Sequence, residues 1–338
     1  MFSSQSEKPN KFRFFVICLL LGVGGNLFSA TGFRKYAGEF MAIHVSPRAQ
    51  ALGGAFTALA NDVTAGFYNP AGLAGIQTTQ AAFMHTWQFV SFINYDYLGF
   101  TRPLTARKAF AVSLIRLGID NIKDTRQAQV LNGTDWRLDP SKVKQFSASD
   151  YVLFLSLAQK MNTRFSWGFN VKFVRRNLAE HHANGLGLDA GVILNVWDRL
   201  RIGAMARNIT TTLLSWDTGE KELVRPTLRV GTSYQIDLPQ LNSYFIPNID
   251  LVLRAESTPK VSPDNNTLFH SGFFEGALGG EFVFRDALFV RGGVDELQRA
   301  TFGLGIKIPH LNIDYSFTSY DKELGNSHRV GVIVNFRH

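Results

Sequence analysis

Among 338 residues there is one cysteine, Cys18, and it lies inside an N-terminal segment that reads as an export signal. The chain left after removal of that segment has no thiol, which excludes disulfides and cysteine-ligated metal sites. Although 45% of the residues are apolar, no stretch beyond the N-terminus approaches the ~18 unbroken apolar residues of a spanning helix. Basic residues outnumber acidic ones, 35 to 27, but they are scattered singly along the chain. No basic cluster with interleaved aromatics is present, which argues against nucleic acid as a partner. A phosphate loop is missing as well, because Gly53-Gly54 follows no buried strand and precedes no Lys-Ser/Thr pair.

Catalytic and metal-binding constellations are equally scarce. Of the eight histidines, none has a flanking nucleophile or acid at a spacing that stands out. His181 and His182 fall in an expected outer loop, where a solvated pair is the plainer reading than a metal site. The sequence therefore points to a non-enzymatic protein without cofactor or metal, with a barrel-borne hydrolase as a remote alternative.

At the N-terminus Lys8, Lys11 and Arg13 precede the apolar run Phe14 to Val23, followed by Gly24, Gly25, Asn26 and a cleavage site near Ala30. This is the pattern of a secretory signal, and its apolar core is too short to span as a mature helix. The expected organisation is a signal peptide over 1–30, a lead and compact plug segment over 31–79, and a strand array over 80–338.

That array is a succession of roughly ten-residue segments in which apolar side chains alternate with polar or small ones, about fourteen times over. Phe165, Trp167, Phe169, Val171 and Phe173 are set against Ser166, Gly168, Asn170 and Lys172, so each strand has one apolar and one wet face. Outward rows such as Leu186 to Val196 and Leu228 to Ile236 carry no charge, as a lipid-facing surface requires. A closed sheet pairs every backbone amide and leaves no edge. The fold class is an all-β, antiparallel transmembrane barrel of about fourteen strands with a small N-terminal helical hatch.

Connection lengths orient it. Long connections at 118–149, 177–183, 210–225, 257–271 and 319–326 alternate with tight turns near Asn162-Thr163, Asp198, Asp286 and Pro309, the asymmetry of outer-membrane barrels. The even strand number then places both termini on the periplasmic, short-turn side. Outer-membrane lipid is the expected surroundings.

Two sets of residues are candidates for function. Inward rows carry Asp189, Arg201, Arg207, Arg229, Asp250, Arg254, Glu281, Arg291, Lys307 and Asp314, whose mixed signs point to ion pairs between strands or to a plug. The second set lies in Ser46 to Ile76, where the two-residue period fails. Ser46 is placed to cap a helix with Pro47 in its first turn, and Ala49, Leu52, Phe56 and Leu59 continue at helical spacing. Asn69-Pro70 then sets a tight corner, with Gly72 allowing close approach to neighbours. A barrel of about fourteen strands encloses a lumen its own side chains cannot fill, so this segment reads as a plug.

The plug segment resembles the N-terminal hatch of the FadL-like outer-membrane proteins, in which a Gly-Gly-Ala-Phe helix precedes an Asn-Pro-Ala-Gly turn. It is closest in style to the PorV/PorQ branch. Ala206-Arg207-Asn208, Pro226-Thr-Leu-Arg-Val-Gly and Asp314-Tyr315-Ser-Phe with Leu324-Gly325 and His328-Arg329 resemble that branch too. The resemblance implies a hatch whose gating residues are Gly53, Gly54, Phe56, Asn69, Pro70, Ala71 and Gly72. It further implies either passage of a hydrophobic small molecule past that hatch or, in PorV-like members, a role in type IX secretion with exported proteins and secretion components as partners.

Overall fold

The computed structural model describes residues 39–88, 93–132, 135–254, 273–320 and 326–336. Fourteen strands form a closed antiparallel barrel. They are β1 (Thr79–Gln88), β2 (Ile93–Thr105), β3 (Lys108–Asp124), β4 (Lys144–Lys160), β5 (Phe165–Leu178), β6 (His181–Trp197) and β7 (Leu200–Arg207). The second half comprises β8 (Thr227–Tyr234), β9 (Ser243–Arg254), β10 (Phe273–Phe284), β11 (Leu288–Val294), β12 (Ala300–Ile308), β13 (Leu311–Thr318) and β14 (Ser327–Phe336). Each strand pairs with the next, and β1 closes on β14 from Thr79↔Phe336 to Trp87↔His328. The ladder has no free edge, which removes the template for strand addition.

Side chains alternate across the wall as the sequence pattern requires. Phe173, Leu186, Phe302, Leu304 and Ile306 are exposed on the outside, while Asn170, Asp189, Asp250, Glu281 and Asp314 are buried within. An apolar exterior around a polar interior inverts the arrangement of a soluble sandwich and is what a bilayer demands.

The tight turns gather at one end of the barrel, here the turn end. At the other, the loop end, the strands run further than the pattern predicts. The expected 118–149 loop is largely ordered: β3 continues to Asp124, a hairpin pairs Gln129–Asn132 with Asp135–Leu138, and β4 starts at Lys144. The expected 210–225 loop is also a hairpin, Thr212–Trp216 with Lys221–Val224, and its first strand continues the ladder along β6. His181 and His182 consequently begin β6 instead of lying in a loop, and both face Asp217, at 3.3 and 3.2 Å. Backbone pairing carries these segments past the apolar belt, where alternation no longer needs to mark them. The signal segment 1–30, the connection near Val90, the 257–271 loop and most of 319–326 lie outside the described residues.

Inside the barrel sits the chain that precedes β1. The helix α1 (Pro47–Ala51) is shorter than the spacing of Phe56 and Leu59 predicts, because Gly53 (φ 65°) and Gly54 (φ 85°) turn the chain out of helix. Only glycine takes that conformation freely. A second short helix, α2 (Ala65–Tyr68), runs through Asn69 into a 3-10 segment, Pro70–Gly75. The first described residues, Glu39–Ala42, lie toward the loop end, where the Arg176 guanidinium covers the Phe40 ring at 5.6 Å. Strand pairing therefore brings Thr79 and Phe336 together at the turn end, whereas the described residues before the hatch, 39–45, lie toward the loop end.

Candidate functional site in the plugged lumen

Local sequence builds the plug. Ser46 Oγ accepts from Ala49 N at 3.4 Å, capping α1, and the Tyr68 hydroxyl accepts from the Val45 and Ser46 amides at 3.1 and 3.2 Å. Asn69 makes the corner: its Oδ1 accepts from Ala71 N at 3.2 Å, and its Nδ2 donates to Thr57 O at 2.9 Å and to Val192 O of β6 at 3.1 Å. A single side chain thus fixes the turn and ties it to the wall. Phe56, Phe67 and Tyr68 pack edge to face, at 5.1 and 4.9 Å between centroids, and Phe67 reaches Phe154 of β4 at 6.1 Å. Backbone meets backbone where the wall offers glycine: Gly168 against Pro70-Ala71, Gly203 against Thr57, and Gly279 and Gly293 against Leu52, while Gly191 makes room for the Asn69 side chain. Gly72 in turn fits against the Ala60 carbonyl.

The inward charges grip the same plug. Arg48 of α1 donates to both oxygens of Glu281 at 2.8 Å, Arg291 donates to Glu281 at 2.6 Å and to Asp314 at 2.5 Å, and all three wall residues are buried. Asp250 accepts from the amides of Phe56 and Thr57 at 3.2 and 3.1 Å, and Arg229 donates to Gly54 O at 3.1 Å. Arg207 donates to Phe67 O at 2.9 Å and lies over that ring at 4.4 Å. Asp189 pairs with Lys172 at 2.6 Å, and Arg254 pairs with Glu275 and Glu296, both at 2.7 Å. Asp189 and Arg254 thus pair within the wall rather than with the plug, and two further expected charges take part in neither set of bonds. Lys307 is exposed near the turn end, and Arg201 Nε makes no hydrogen bond to a described residue.

Several partners escaped the sequence reading. Lys172 and Arg329, which donates to Gln50 Oε1 at 2.7 Å, occupy inward positions that parity alone identifies. Arg48 and Glu296 lie outside the strands, and no period marks them.

His44 stacks on Tyr68 at 5.8 Å and borders Gly54, with its Nδ1 unbonded to any described residue. Burial first, then Arg229 and Arg329, hold its imidazole well below the ordinary 6.5. An unseated His44 takes a proton below about pH 6.5 and the seated one does not, so acid favours the unseated state. Thermal stability should fall between about pH 6.5 and pH 5, and His44→Phe should flatten that slope. A wild-type profile as flat as the variant's would exclude this role.

An uncharacterised protein family, UPF0164, matches residues 30–127, the plug and the strands that follow it. No curated protein matches the chain. Among solved structures, a Pseudomonas aeruginosa FadL homologue superposes with a TM-score of 0.54 at 12% identity, covering 87% of this chain and 98% of that one. The fold is that of the FadL-type barrels. The Pseudomonas putida toluene transporter TodX (TM-score 0.54, 12% identity, 85% and 96% covered) and the monoaromatic hydrocarbon channel CymD (0.53, 13%, 87% and 98%) share it.

Proposed function

We propose that this chain is a passive outer-membrane channel for a hydrophobic small molecule, with the loop end outside and Thr79 and Phe336 in the periplasm. The supporting observation is the lining of the loop end. Phe40, Met41, Leu117, Val174, Leu214 and Val224 are buried and join, through Tyr95 and Ile115, one apolar cluster continuous with Phe56, Phe67 and Tyr68 of the plug. A hydrophobe needs a continuous apolar path where a water-filled porin lumen carries polar groups. Here the Arg176, Asp150 and Glu222 charges stand beside Phe40 at the mouth, and the apolar cluster runs inward from it. The related folds of a toluene transporter and a hydrocarbon channel agree with this reading. The plug is the gate, with Gly53, Gly54 and Phe56 at its shoulder and Asn69, Pro70, Ala71 and Gly72 at its corner.

Val174→Asp or Leu214→Asp places a charge on that path and should cut uptake of a hydrophobic substrate by roughly tenfold. The barrel should keep its heat-modifiable mobility. Unchanged uptake in both variants would reject the reading. Recovery of secretion components with the chain from its native membrane, alongside unchanged uptake, would favour the PorV-like role instead.

A further inference from the structure

On the outer face of β1 to β6 the apolar belt gives way, toward the loop end, to polar rows, and the first of these borders the belt directly. His85, Asp96, Arg116, Tyr151, Arg175 and Asn184 are successive register partners across β1 to β6. All have outward parity, since their chain neighbours Met84, Tyr95, Ile115, Val152, Val174 and Ala183 are buried inside. His85 Nδ1 lies 2.6 Å from Asp96 Oδ1, and Arg116 donates from Nη1 to Asp96 Oδ2 at 3.3 Å. Arg175 donates to the neutral Asn184 Oδ1 at 3.0 Å, and among the described residues it is Arg176, not Arg175, that pairs with the nearby carboxylates Asp150 and Glu222. The row therefore sets two guanidiniums against one carboxylate.

Toward the turn end the next outward residues are Leu98, Leu114, Leu153, Phe173 and Leu186, all apolar. Beneath Tyr151, Arg175 and Asn184 a groove of about 250 Å³ opens, floored by Leu114, Leu153 and Phe173. A lipid-facing Arg costs roughly 2–4 kcal/mol at the midplane and about 0–1 near the interface, so the row marks headgroup depth. A cationic rim over an apolar groove matches the junction between a phosphate and its acyl chains.

We infer that this face holds a phosphorylated, acylated glycolipid of the outer leaflet, its phosphate on Arg175 and Arg116 and one acyl chain in the groove. The Tyr151 hydroxyl and the Asn184 amide, at the same level, suit sugar hydroxyls. The inference rests on the orientation in the proposed function, which sets the loop end in the outer leaflet.

The test uses the full chain in mild detergent, loaded with lipid A, dephosphorylated lipid A or phosphatidylglycerol, with retained lipid counted by native mass spectrometry. Retention of lipid A over its dephosphorylated form should be about tenfold. The double variant Arg116→Gln, Arg175→Gln should lose that preference while keeping heat-modifiable mobility and hydrophobe uptake. Equal retention of the phosphorylated and dephosphorylated forms, or a preference surviving in the double variant, overturns the inference. Retention of phosphatidylglycerol equal to that of lipid A overturns it too, because the site would then read phosphate alone. Orientation is read separately, from labelling of Thr218→Cys by an impermeant maleimide on whole cells. Labelling without lipid preference sinks this inference alone, whereas absence of labelling sinks the orientation and the inference with it.

Discussion

Replacing Gly293 with valine should open the lumen while leaving the barrel folded, and the same replacement at Gly292 should do neither. A Cβ at Gly293 would sit 2.5 Å from Leu52 C and 2.6 Å from Gly53 N, both backbone atoms of the plug. Neither can rotate away, so the plug shoulder must move. Gly292 points to the other face, where its nearest neighbours are 3.9 Å off. Valine suits a strand in either place; at Gly293 the Cβ would also come 2.7 Å from Leu278 O of the neighbouring strand, so the wall gives there while the plug, met at two atoms, takes the larger share. Overpacking of this kind costs about 1–3 kcal/mol. Planar-bilayer recording should give frequent open events for Gly293→Val and a closed trace for wild type and Gly292→Val. Identical traces for the two variants would mean that the plug is not seated by this contact.

The barrel was legible because a lipid-facing strand cannot hide its period. Phe165 to Phe173 alternate without a break, and the turns at Asn162-Thr163 and Asp198 fall between strands where parity expects them. The plug was legible at its corners, since Ser46 before Pro47 and Asn69 before Pro70 have few other uses. Its middle was not. Leu52, Phe56 and Leu59 keep helical spacing, yet the backbone leaves helix at Gly53 because Val294 and the wall glycines press against it. Tertiary contact overrides local period there.

The outer polar row was hidden for a different reason. In β2 the buried residues are Tyr95 and Tyr97 and the outward one is Asp96, so the usual rule of apolar outside reverses once the strand leaves the apolar belt. Only the register, which sets Asp96 beside both His85 and Arg116, makes the inversion visible.

Removal of the Glu281 carboxylate should be the most damaging single change at the plug's polar side. Glu281 is 1% exposed and takes three hydrogen bonds, two from Arg48 and one from Arg291. In Glu281→Leu both guanidiniums lose their shared partner, leaving Arg48 to Asn61 and Asp62 and Arg291 to Asp314. Breaking a buried pair from one side costs about 3–5 kcal/mol. Arg48 belongs to the plug and Glu281 to the wall, so a double-mutant cycle with Arg48→Leu measures adhesion between them; its coupling should be about 1–3 kcal/mol. Urea unfolding of the four proteins in one detergent gives that coupling. A single-variant loss below about 1 kcal/mol would place the pair in water and end the argument.

The pair also bears on movement. Along β9 to β14 the plug is held by Asp250, Glu281 and Arg329, whereas on β3 and β4 it lies against Ile115 and Phe154. Charges recover hydration when such an interface opens, and apolar surface loses by opening. The polar side is therefore where the plug lets go first. Glu281→Leu should raise open events more than an equally destabilising Phe154→Ala, and the reverse order would put the hinge on the polar side.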